Sequence, residues 1–195
     1  MTTLVVRPAR RDESGRIAEL FEISSDGVAS YVWSTLQADY PGSPLLEIGR
    51  RRYEREKTAF SYQNCLMAEA EGRVLGMLHA YPVAPRTGSE PEPQPIDPVL
   101  KPYAELEAPG TLYIAGIAVW PDCRGRGVGT RFLAAARARA RDLKLRELSL
   151  LCFAGNNGAR RLYERAGFVV VDWRPVVPHP MIRHTGDVLL MQAPV

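Results

Sequence analysis

The order of apolar and polar residues predicts a chain in which strands and helices alternate. Strands are predicted where apolar residues alternate or run together over five to ten positions. The run from Leu112 to Trp120 is nearly unbroken, which is typical of a strand buried on both faces. The predicted strands are Thr3–Val6, Asn64–Ala70, Arg73–Pro82, Leu112–Trp120, Glu147–Cys152, Val169–Trp173 and Asp187–Gln192.

Helices are predicted where apolar residues recur three and four positions apart. One lies around Ile17, Leu20 and Phe21, and a second, short one within 26–39. A charged helix is predicted over Leu45–Phe60, with the ion pairs Arg50–Glu54 and Arg52–Glu56. Two more carry the apolar sets Phe132, Leu133, Ala136, Ala140, Leu143 and Ala159, Leu162, Tyr163, Ala166.

The segment from about 82 to 109 is rich in proline and has little periodicity. We interpret it as an insertion in a single domain that spans 1–195. Gly88–Pro98 favours a flexible surface segment. Pro98–Glu107 has Leu100, Tyr103 and Leu106 available for packing, so both a substrate-side lid and a flexible insertion stay open.

Composition excludes several classes of function. A net charge of +3 in 195 residues is too small to indicate nucleic acid binding. The longest apolar run is far below the ~20 residues of a membrane span, and the charged N-terminus does not resemble a signal peptide. Cys65, Cys123 and Cys152 form no C-x-x-C pair, which favours a reducing cytoplasm and no metal site. Burial is expected for Cys65 and Cys152, whereas exposure of Cys123 stays open.

A glycine-rich turn follows the fourth predicted strand. Its sequence is Arg124-Gly125-Arg126-Gly127-Val128-Gly129-Thr130, and it opens a helix. The first turn of a helix has backbone N–H groups without partners and a partial positive charge. Glycines allow a phosphate to approach those groups, and the two arginines add positive charge. The spacing fits neither the dinucleotide fingerprint nor the P-loop, but it predicts a phosphate site.

Two motifs together carry a resemblance to a known family. The first is Arg-x-x-Gly-x-Gly, from Arg124 to Gly129. The second runs from Asn156 to Phe168 as Asn…Ala…Leu-Tyr…Gly-Phe. In this order and separation they resemble the acetyl-CoA-binding motifs of the GCN5-related N-acetyltransferase (GNAT) superfamily. The resemblance covers residues 64–175 well and the rest of the chain in outline.

The resemblance implies an α/β (α+β) fold. We expect a mixed, mostly antiparallel central sheet of six to seven strands with helices on both faces. The sheet is expected to be splayed between the fourth and fifth strands, where the pantetheine arm of coenzyme A would lie.

The resemblance also implies acetyl transfer from acetyl-CoA, as co-substrate, to an amine. A bulge near Gly116 would free an N–H group to polarise the thioester. Tyr163 would protonate the departing thiolate, although helical spacing alone would make it a core aromatic. The expected coenzyme-binding residues are Ile117, Ala118 and Val119 for pantetheine, Arg124, Gly125, Arg126, Gly127, Val128, Gly129 and Thr130 for the pyrophosphate, and Asn156 and Tyr163 for the arm and the thiol.

The general base does not follow from the resemblance. Histone-type members carry a glutamate where this chain has Tyr113, and members that acetylate protein N-termini carry one where it has Leu151. Glu107, Glu105 and a water held by Tyr113 are the candidates.

The two absent glutamates favour a small-molecule amine over a protein acceptor. A protein or peptide N-acetyltransferase and a non-catalytic acyl-CoA sensor are the alternatives. No nucleic acid or membrane partner is expected. The resemblance also allows a homodimer, since many relatives pair through their last strands.

Overall fold

The structure is a computed structural model that describes residues 4–85 and 96–195. It contains strands and helices in the alternating order expected from the sequence. The strands are β1 Val5–Pro8, β2 Cys65–Ala70, β3 Arg73–Pro82, β4 Leu112–Val119, β5 Glu147–Phe153, β6 Val169–Pro175 and β7 Asp187–Pro194. The helices are α1 Ser14–Ser25, α2 Val28–Thr35, α3 Leu45–Tyr53, α4 Lys101–Glu105, α5 Val128–Asp142 and α6 Asn157–Arg165.

The strands form one mixed sheet in the order β1-β2-β3-β4-β5-β7-β6. The pairs β1–β2, β2–β3, β5–β7 and β6–β7 are antiparallel, and β4–β5 is parallel. The expected mixed, mostly antiparallel sheet of six to seven strands is therefore confirmed, with seven strands. The parallel register runs from Leu112↔Leu148 to Ile114↔Leu150, and both strands continue beyond it. This is the pair of strands between which the sheet was expected to open.

The described residues divide into two compact units that interleave along the chain. The first comprises residues 4–80, 116–132 and 181–183, and the second comprises 81–85, 96–115, 133–180 and 184–195. The single domain over 1–195 stays a prediction.

The first unit is centred on an aromatic cluster between α1, α3 and β3. The ring of Phe21 lies edge-on to Tyr53, Phe60 and His79, at centroid distances of 5.8, 5.6 and 5.7 Å. His79 Nε2 lies 2.9 Å from the carbonyl oxygen of Ala59, and Nδ1 lies 3.1 Å from the Tyr53 hydroxyl. Because a carbonyl can only accept, Nε2 donates and Nδ1 accepts from Tyr53. His79 is thus a fully buried structural residue.

Helix α3 is shorter than predicted. It ends at Tyr53 rather than Phe60, and Lys57 has a left-handed φ of 56°. The Asn64 side-chain amide donates to the carbonyls of Thr58 and Ala59, both at 3.0 Å, and these bonds stabilise a turn that returns Phe60 to the aromatic cluster. The pair Arg50–Glu54 is present. The predicted Arg52–Glu56 pair was wrong, because Glu56 lies past the helix and accepts from the Tyr62 hydroxyl at 2.9 Å.

In the second unit, β5 and β7 supply a strongly apolar core that includes Leu148, Leu150, Leu190 and Met191. Helix α5, which begins in the first unit, buries the predicted face of Phe132, Leu133, Ala136 and Ala140. The exception is Leu143, which is 45% exposed. The helix ends at Asp142, and Lys144 takes a left-handed φ of 57°, so Leu143 leaves the helical face.

The described part of the proline-rich segment is folded. Helix α4 brings the ring of Tyr103 to 6.1 Å from that of Phe153, Glu105 pairs with Arg174 at 3.2 Å, and Leu106 is buried. Residues 86–95 lie outside the described residues, and most of the predicted flexible stretch Gly88–Pro98 falls there. The same holds for Thr3 of the first predicted strand, which the structure begins at Val5. No helix of the described ranges has the length and apolarity needed to cross a membrane.

Candidate active site

Strand β4 alternates between buried and partly exposed side chains. Leu112, Ile114, Gly116 and Ala118 are buried, whereas Tyr113, Ala115, Ile117 and Val119 are only partly covered. The sequence-based prediction of a strand buried on both faces was therefore wrong for one face. Apolar side chains that are left partly open to solvent offer contact area to a ligand. Ile117 and Val119, two of the expected pantetheine contacts, belong to this face.

Gly116 is required by close packing within the first unit. A Cβ atom at this position would lie 2.5 Å from Ser24 Oγ and 3.2 Å from Phe21 Cδ2. Both neighbours belong to α1, so the glycine allows that helix to approach β4 directly. The expected backbone bulge near Gly116 stays a prediction.

The end of β4 is also held by β3. A Cβ atom on Gly76 would lie 2.3 Å from the carbonyl oxygen of Ala118, and the N–H group of Trp120 donates to the carbonyl of Leu75 at 2.9 Å. These contacts fix the backbone at Ala118 and Val119, directly before the glycine-rich turn.

The glycine-rich turn has the backbone that its sequence predicts. Gly125 and Gly127 both have a φ of 76°, which side chains with a Cβ rarely adopt. Apart from the adjoining residues of the chain, no atom within residues 4–85 and 96–195 lies within 4 Å of a Cβ built on either glycine. Cys123 and Val128 are buried on the two sides of this exposed stretch, and α5 begins at Val128. The turn therefore presents an open backbone surface at the start of a 15-residue helix.

Two arginines border this surface. Arg124 Nε donates to the carbonyl of Val119 at 3.2 Å, and Arg126 Nη2 donates to the carbonyl of Asp122 at 3.4 Å. Both side chains are exposed. Each of these bonds uses one nitrogen, so the other guanidinium N–H groups are available to an anion. Together with the helix N-terminus they give this turn a positive potential.

The structure decides the exposure of Cys123. The sequence left open an exposed thiol beside the turn, but the side chain is fully buried. The short 3-10 turn over Pro121–Cys123 directs it inward, and its sulfur lies 3.5 Å from Asp122 Oδ1. Cys65 and Cys152 are buried as predicted.

The second unit brings three tyrosines together. Tyr81 and Tyr113 are edge-on, with ring centroids 5.5 Å apart. Burial raises the pKa of Tyr113 well above its usual value, and the nearby Tyr81, Tyr163 and Glu107 raise it further. Burial, with a smaller contribution from Glu107, raises the pKa of Tyr81 to about 12. Both hydroxyls therefore stay protonated near neutral pH and can donate hydrogen bonds.

Tyr163 lies on α6 and is 7% exposed, with its ring 5.8 Å from that of Phe168. Of the three catalytic candidates, Tyr163 and Glu107 thus each lie close enough to Tyr113 to raise its pKa. Tyr81 was not singled out from the sequence. It ends an apolar strand, and no local pattern distinguishes it from a core aromatic.

The two candidate carboxylates differ in their surroundings. Glu107 is exposed, and its negative charge raises the pKa of both Tyr81 and Tyr113. Glu105 pairs with Arg174 at 3.2 Å and with Lys101 at 3.7 Å. Proton transfer to Glu105 would break two ion pairs, so Glu107 is the better placed of the two as a base.

Asn156 has a structural task that the sequence did not indicate. Its Oδ1 accepts from the N–H group of Ala159 at 3.1 Å and caps the N-terminus of α6. At the other end, Gly167 has a φ of 84° and the N–H of Phe168 donates to the carbonyl of Tyr163 at 3.0 Å. The second motif thus sets both ends of the helix. A contact between Asn156 and coenzyme A stays a prediction.

No group of three or more His, Cys, Asp or Glu side chains arranged to hold a metal ion occurs within residues 4–85 and 96–195.

Solved structures of similar fold extend over nearly the whole chain. An N-acetyltransferase from Staphylococcus aureus Mu50 aligns with a TM-score of 0.66 and 20% identity, covering 97% of this chain and 100% of that one. A ribosomal-protein-alanine N-acetyltransferase from Brucella melitensis gives a TM-score of 0.64 and 21% identity, with 98% and 99% covered. At these identities the likeness concerns the fold alone.

Sequence relatives match part of the chain. An uncharacterized N-acetyltransferase of Bacillus subtilis (strain 168), YycN, is 39% identical over 71 residues, which are 36% of this chain and 46% of the relative. A mycothiol acetyltransferase of Pseudarthrobacter chlorophenolicus is 35% identical over 103 residues, 53% of this chain and 26% of the relative. The matches thus span less than half the length of either relative.

The family model described as Acetyltransferase (GNAT) family matches residues 29–168, which include β4, the glycine-rich turn and α6. The chain therefore belongs to the GNAT acetyltransferase family.

Proposed function

We propose that this protein is an acetyl-CoA-dependent N-acetyltransferase that acts on a primary amine of a small molecule. The observation that carries the proposal is the glycine-rich turn at the end of β4. Gly125 and Gly127 have open space where any other residue would carry a Cβ, and they alternate along the chain with two exposed arginines, Arg124 and Arg126. A diphosphate has the charge and the size that such a surface accepts.

Several residues fit the donor. The backbone N–H groups of Gly125, Gly127, Val128, Gly129 and Thr130, with Arg124 and Arg126, would hold the pyrophosphate of acetyl-CoA. Ile117, Ala118 and Val119 would pair with the pantetheine amides as an added strand. Asn156 would bind the pantetheine arm of coenzyme A through groups other than the Oδ1 that caps α6. The donor supplies the acetyl group as a thioester.

Tyr163 is assigned the role of general acid, which donates a proton to the thiolate of coenzyme A as it departs. Its burial supports this role, because a largely buried side chain can act on the leaving group in a site from which water is excluded. Tyr113 stays protonated for the reason given above, so it would serve as a hydrogen-bond donor or hold a water, and not as the base.

Glu107 is assigned the role of general base. An aliphatic ammonium group has a pKa near ~10 and must lose its proton before it can attack a carbonyl. An exposed carboxylate beside two protonated tyrosines can take that proton, directly or through a water. Glu105 is held in ion pairs, whereas Glu107 forms none with the residues that the structure describes, and this difference supports the assignment.

Tyr113 and Leu151 occupy the positions at which protein-directed relatives are expected to carry glutamates. Their presence favours a small-molecule acceptor over a peptide. The three buried thiols suit a reducing cytoplasm. A homodimer through β6 fits the outer position of this strand in the sheet and its exposed Val169, Val171 and Trp173.

The test begins with thermal unfolding in the presence of acetyl-CoA. Ligand at ~100 times its dissociation constant stabilises a protein by ~2.7 kcal/mol, which raises the melting temperature measurably. Release of free thiol is then followed across a panel of primary amines. Stabilisation followed by thiol release supports the enzyme, stabilisation with no release from any amine or peptide supports the acyl-CoA sensor, and no stabilisation contradicts the donor site.

The base is tested with a matched pair of variants. Glu107→Gln should lower kcat by about 10²-fold, while acetyl-CoA binding is unchanged. Glu105→Gln, two residues away, should keep both kcat and the affinity for acetyl-CoA. Equal activity of the two variants would contradict the assignment of Glu107.

A further inference from the structure

The end of α3 and the turn after it carry five cations, Arg50, Arg51, Arg52, Arg55 and Lys57. The nearby carboxylates are engaged with other partners. Glu47 pairs with Arg50 at 2.6 Å and with Arg51 at 2.9 Å, Glu54 pairs with Arg50, and Glu56 accepts from the Tyr62 hydroxyl at 2.9 Å. Arg52 and Arg55 therefore have no carboxylate partner among residues 4–85 and 96–195.

Arg52 is in an unusual setting for a cation. Its side chain is partly buried, and its guanidinium carbon lies 5.9 Å from the centroid of the Phe60 ring. Burial lowers its pKa, and the neighbouring Arg55 lowers it further. A cation that has lost part of its hydration is normally paired with an anion or with hydrogen-bond acceptors. Within the described part of the chain, the Arg52 side chain donates no hydrogen bond.

Arg55 is held beside Arg52. Its Nε donates to the carbonyl oxygen of Arg52 at 3.1 Å, which leaves the two terminal NH₂ groups without an ion-pair partner among the described residues. Two like charges in this arrangement repel each other. An oxyanion bound between them would remove that repulsion and supply acceptors for both guanidinium groups.

A purely structural role does not account for the pair. Cations near a helix C-terminus are stabilised by the helix dipole, and the Arg52 stem covers Phe60. Arg50 and Arg51 in the same helical turn receive the same dipole interaction, yet both are paired with carboxylates. Arg52 differs from these two neighbours, because no carboxylate of the described residues pairs with it.

The position of Arg52 connects it with the donor strand through contacts inside the first unit. Phe60, under its guanidinium, lies 5.6 Å from Phe21 in an edge-on pair. Phe21 in turn contacts Gly116 on β4, the residue before the expected pantetheine contacts. Two aromatic rings thus separate the cation from the strand along which the proposed donor would lie.

We propose that Arg52 and Arg55 bind an oxyanionic group, a carboxylate or a phosphate, carried by the amine acceptor. The inference rests on the proposed acetyl transfer for its ligand, since it makes the acceptor an amino acid, a related amino carboxylate or an aminoalkyl phosphate. Bidentate guanidinium groups suit both anions.

The first test does not need turnover. The protein is saturated with coenzyme A, and the Nε–H signals of the arginines are followed by NMR while sodium acetate or inorganic phosphate is added. We expect saturable shifts of the Arg52 and Arg55 signals, with Arg51 unmoved. Shifts that are equal at Arg51 and Arg52, or that grow linearly with salt, would overturn the proposal. The anion that binds more tightly, acetate or phosphate, indicates which oxyanionic group the acceptor carries.

The second test uses matched acceptors of equal chain length: an ω-amino acid, its amide and an aminoalkyl phosphate. Arg52→Gln should raise KM for the anionic acceptors by about tenfold to a hundredfold, with kcat and the amide's kcat/KM nearly unchanged. Arg51→Gln is the control and should leave every KM unchanged. Arg52→Lys, which keeps a cation without the planar fork, should give an intermediate KM.

The outcomes separate this inference from the proposed function. Thiol release with no preference for anionic acceptors, or a preference that Arg52→Gln preserves, overturns the inference and leaves the acetyltransferase standing. Saturable anion binding at Arg52 without thiol release from any acceptor retains the oxyanion site and contradicts the acetyl transfer. Melting temperatures of all variants are compared, since a lowered melting temperature with unchanged KM values would make Arg52 a structural residue only.

Discussion

Arg73, at the start of β3, forms an ion pair with Asp122 at 2.6 Å, directly before the glycine-rich turn. The arginine holds the pKa of Asp122 below its usual value, and the carbonyl of the same aspartate accepts from Arg126. Both side chains are more than half exposed, so the pair contributes little to stability. Its effect is positional, because it ties the base of the turn to the hairpin.

Gly127→Ala should weaken acetyl-CoA binding by at least about tenfold, because the new methyl group would lie in the open space proposed for the pyrophosphate. The left-handed backbone also makes any Cβ cost about 1–2 kcal/mol. Gly72→Ala is a matched control, since Gly72 has a φ of 72° and equally open surroundings at the tip of the β2–β3 hairpin. Calorimetric titration measures the affinity. Equal affinities of the two variants would exclude the turn as the phosphate site.

Tyr163→Phe should lower kcat by about 10²-fold and leave acetyl-CoA affinity nearly unchanged, since only the proton of the hydroxyl is lost. The ring and its contact with Phe168 are retained. Pre-steady-state thiol release and a thermal melt distinguish the two roles of this residue. A drop in melting temperature with kcat preserved would show that Tyr163 is a core residue.

His79→Leu should lower the free energy of unfolding by about 2–4 kcal/mol, because it leaves the Tyr53 hydroxyl and the Ala59 carbonyl without their buried partner. Urea unfolding at neutral pH measures the change. Tyr53→Phe removes one of the two bonds and should cost about half as much. The prediction fails if His79→Leu unfolds at the same urea concentration as the unaltered protein.

Stability should fall in acid partly through Glu13. Arg7 donates to it at 2.7 and 2.9 Å, and this pairing lowers its pKa below the ordinary 4.5. A lowered pKa in the folded state means that the carboxylate stabilises the protein above about pH 4.5 and that this contribution is lost as the pH falls through the folded-state value.

The Glu13→Gln variant should therefore be less stable at neutral pH and lose less stability between neutral and acid pH. Urea unfolding across that pH range tests this, and Arg7→Gln should give a similar flattening because it removes the same partner. Parallel pH profiles for the variant and the unaltered protein would refute it.

The proposed homodimer through β6 predicts that Trp173→Glu shifts the protein toward monomer. The indole is 55% exposed on an outer strand of the sheet, and a buried carboxylate at an apolar interface is costly. Sedimentation over a range of protein concentrations measures the assembly. Val5→Glu is the control, because Val5 is 49% exposed on β1, the opposite outer strand. A loss of dimer in the Val5 variant alone would assign the interface to the other edge.

The sequence by itself determined the seven strands, the glycine-rich turn after β4 and the helix α6. These features depend on local backbone chemistry. Gly125 and Gly127 are glycines in left-handed conformations, and apolar residues recur at helical spacing along α6, so short motifs specify these features wherever they occur. The motifs also identified the family, because the order and separation of the two are set by the chain alone.

Tertiary structure decided which side chains meet. Helix α3 ends at Tyr53 because Phe60 returns to pack on Tyr53 and His79, contacts that helical periodicity cannot anticipate. Cys123 is buried by a single 3-10 turn, and Tyr81 reaches Tyr113 only through the pairing of distant segments. Tertiary structure also decides that Arg52 has no carboxylate partner among the described residues, because the nearby Glu47 and Glu54 pair with other arginines. Long-range contacts follow the energy of the whole chain, and no local pattern records them.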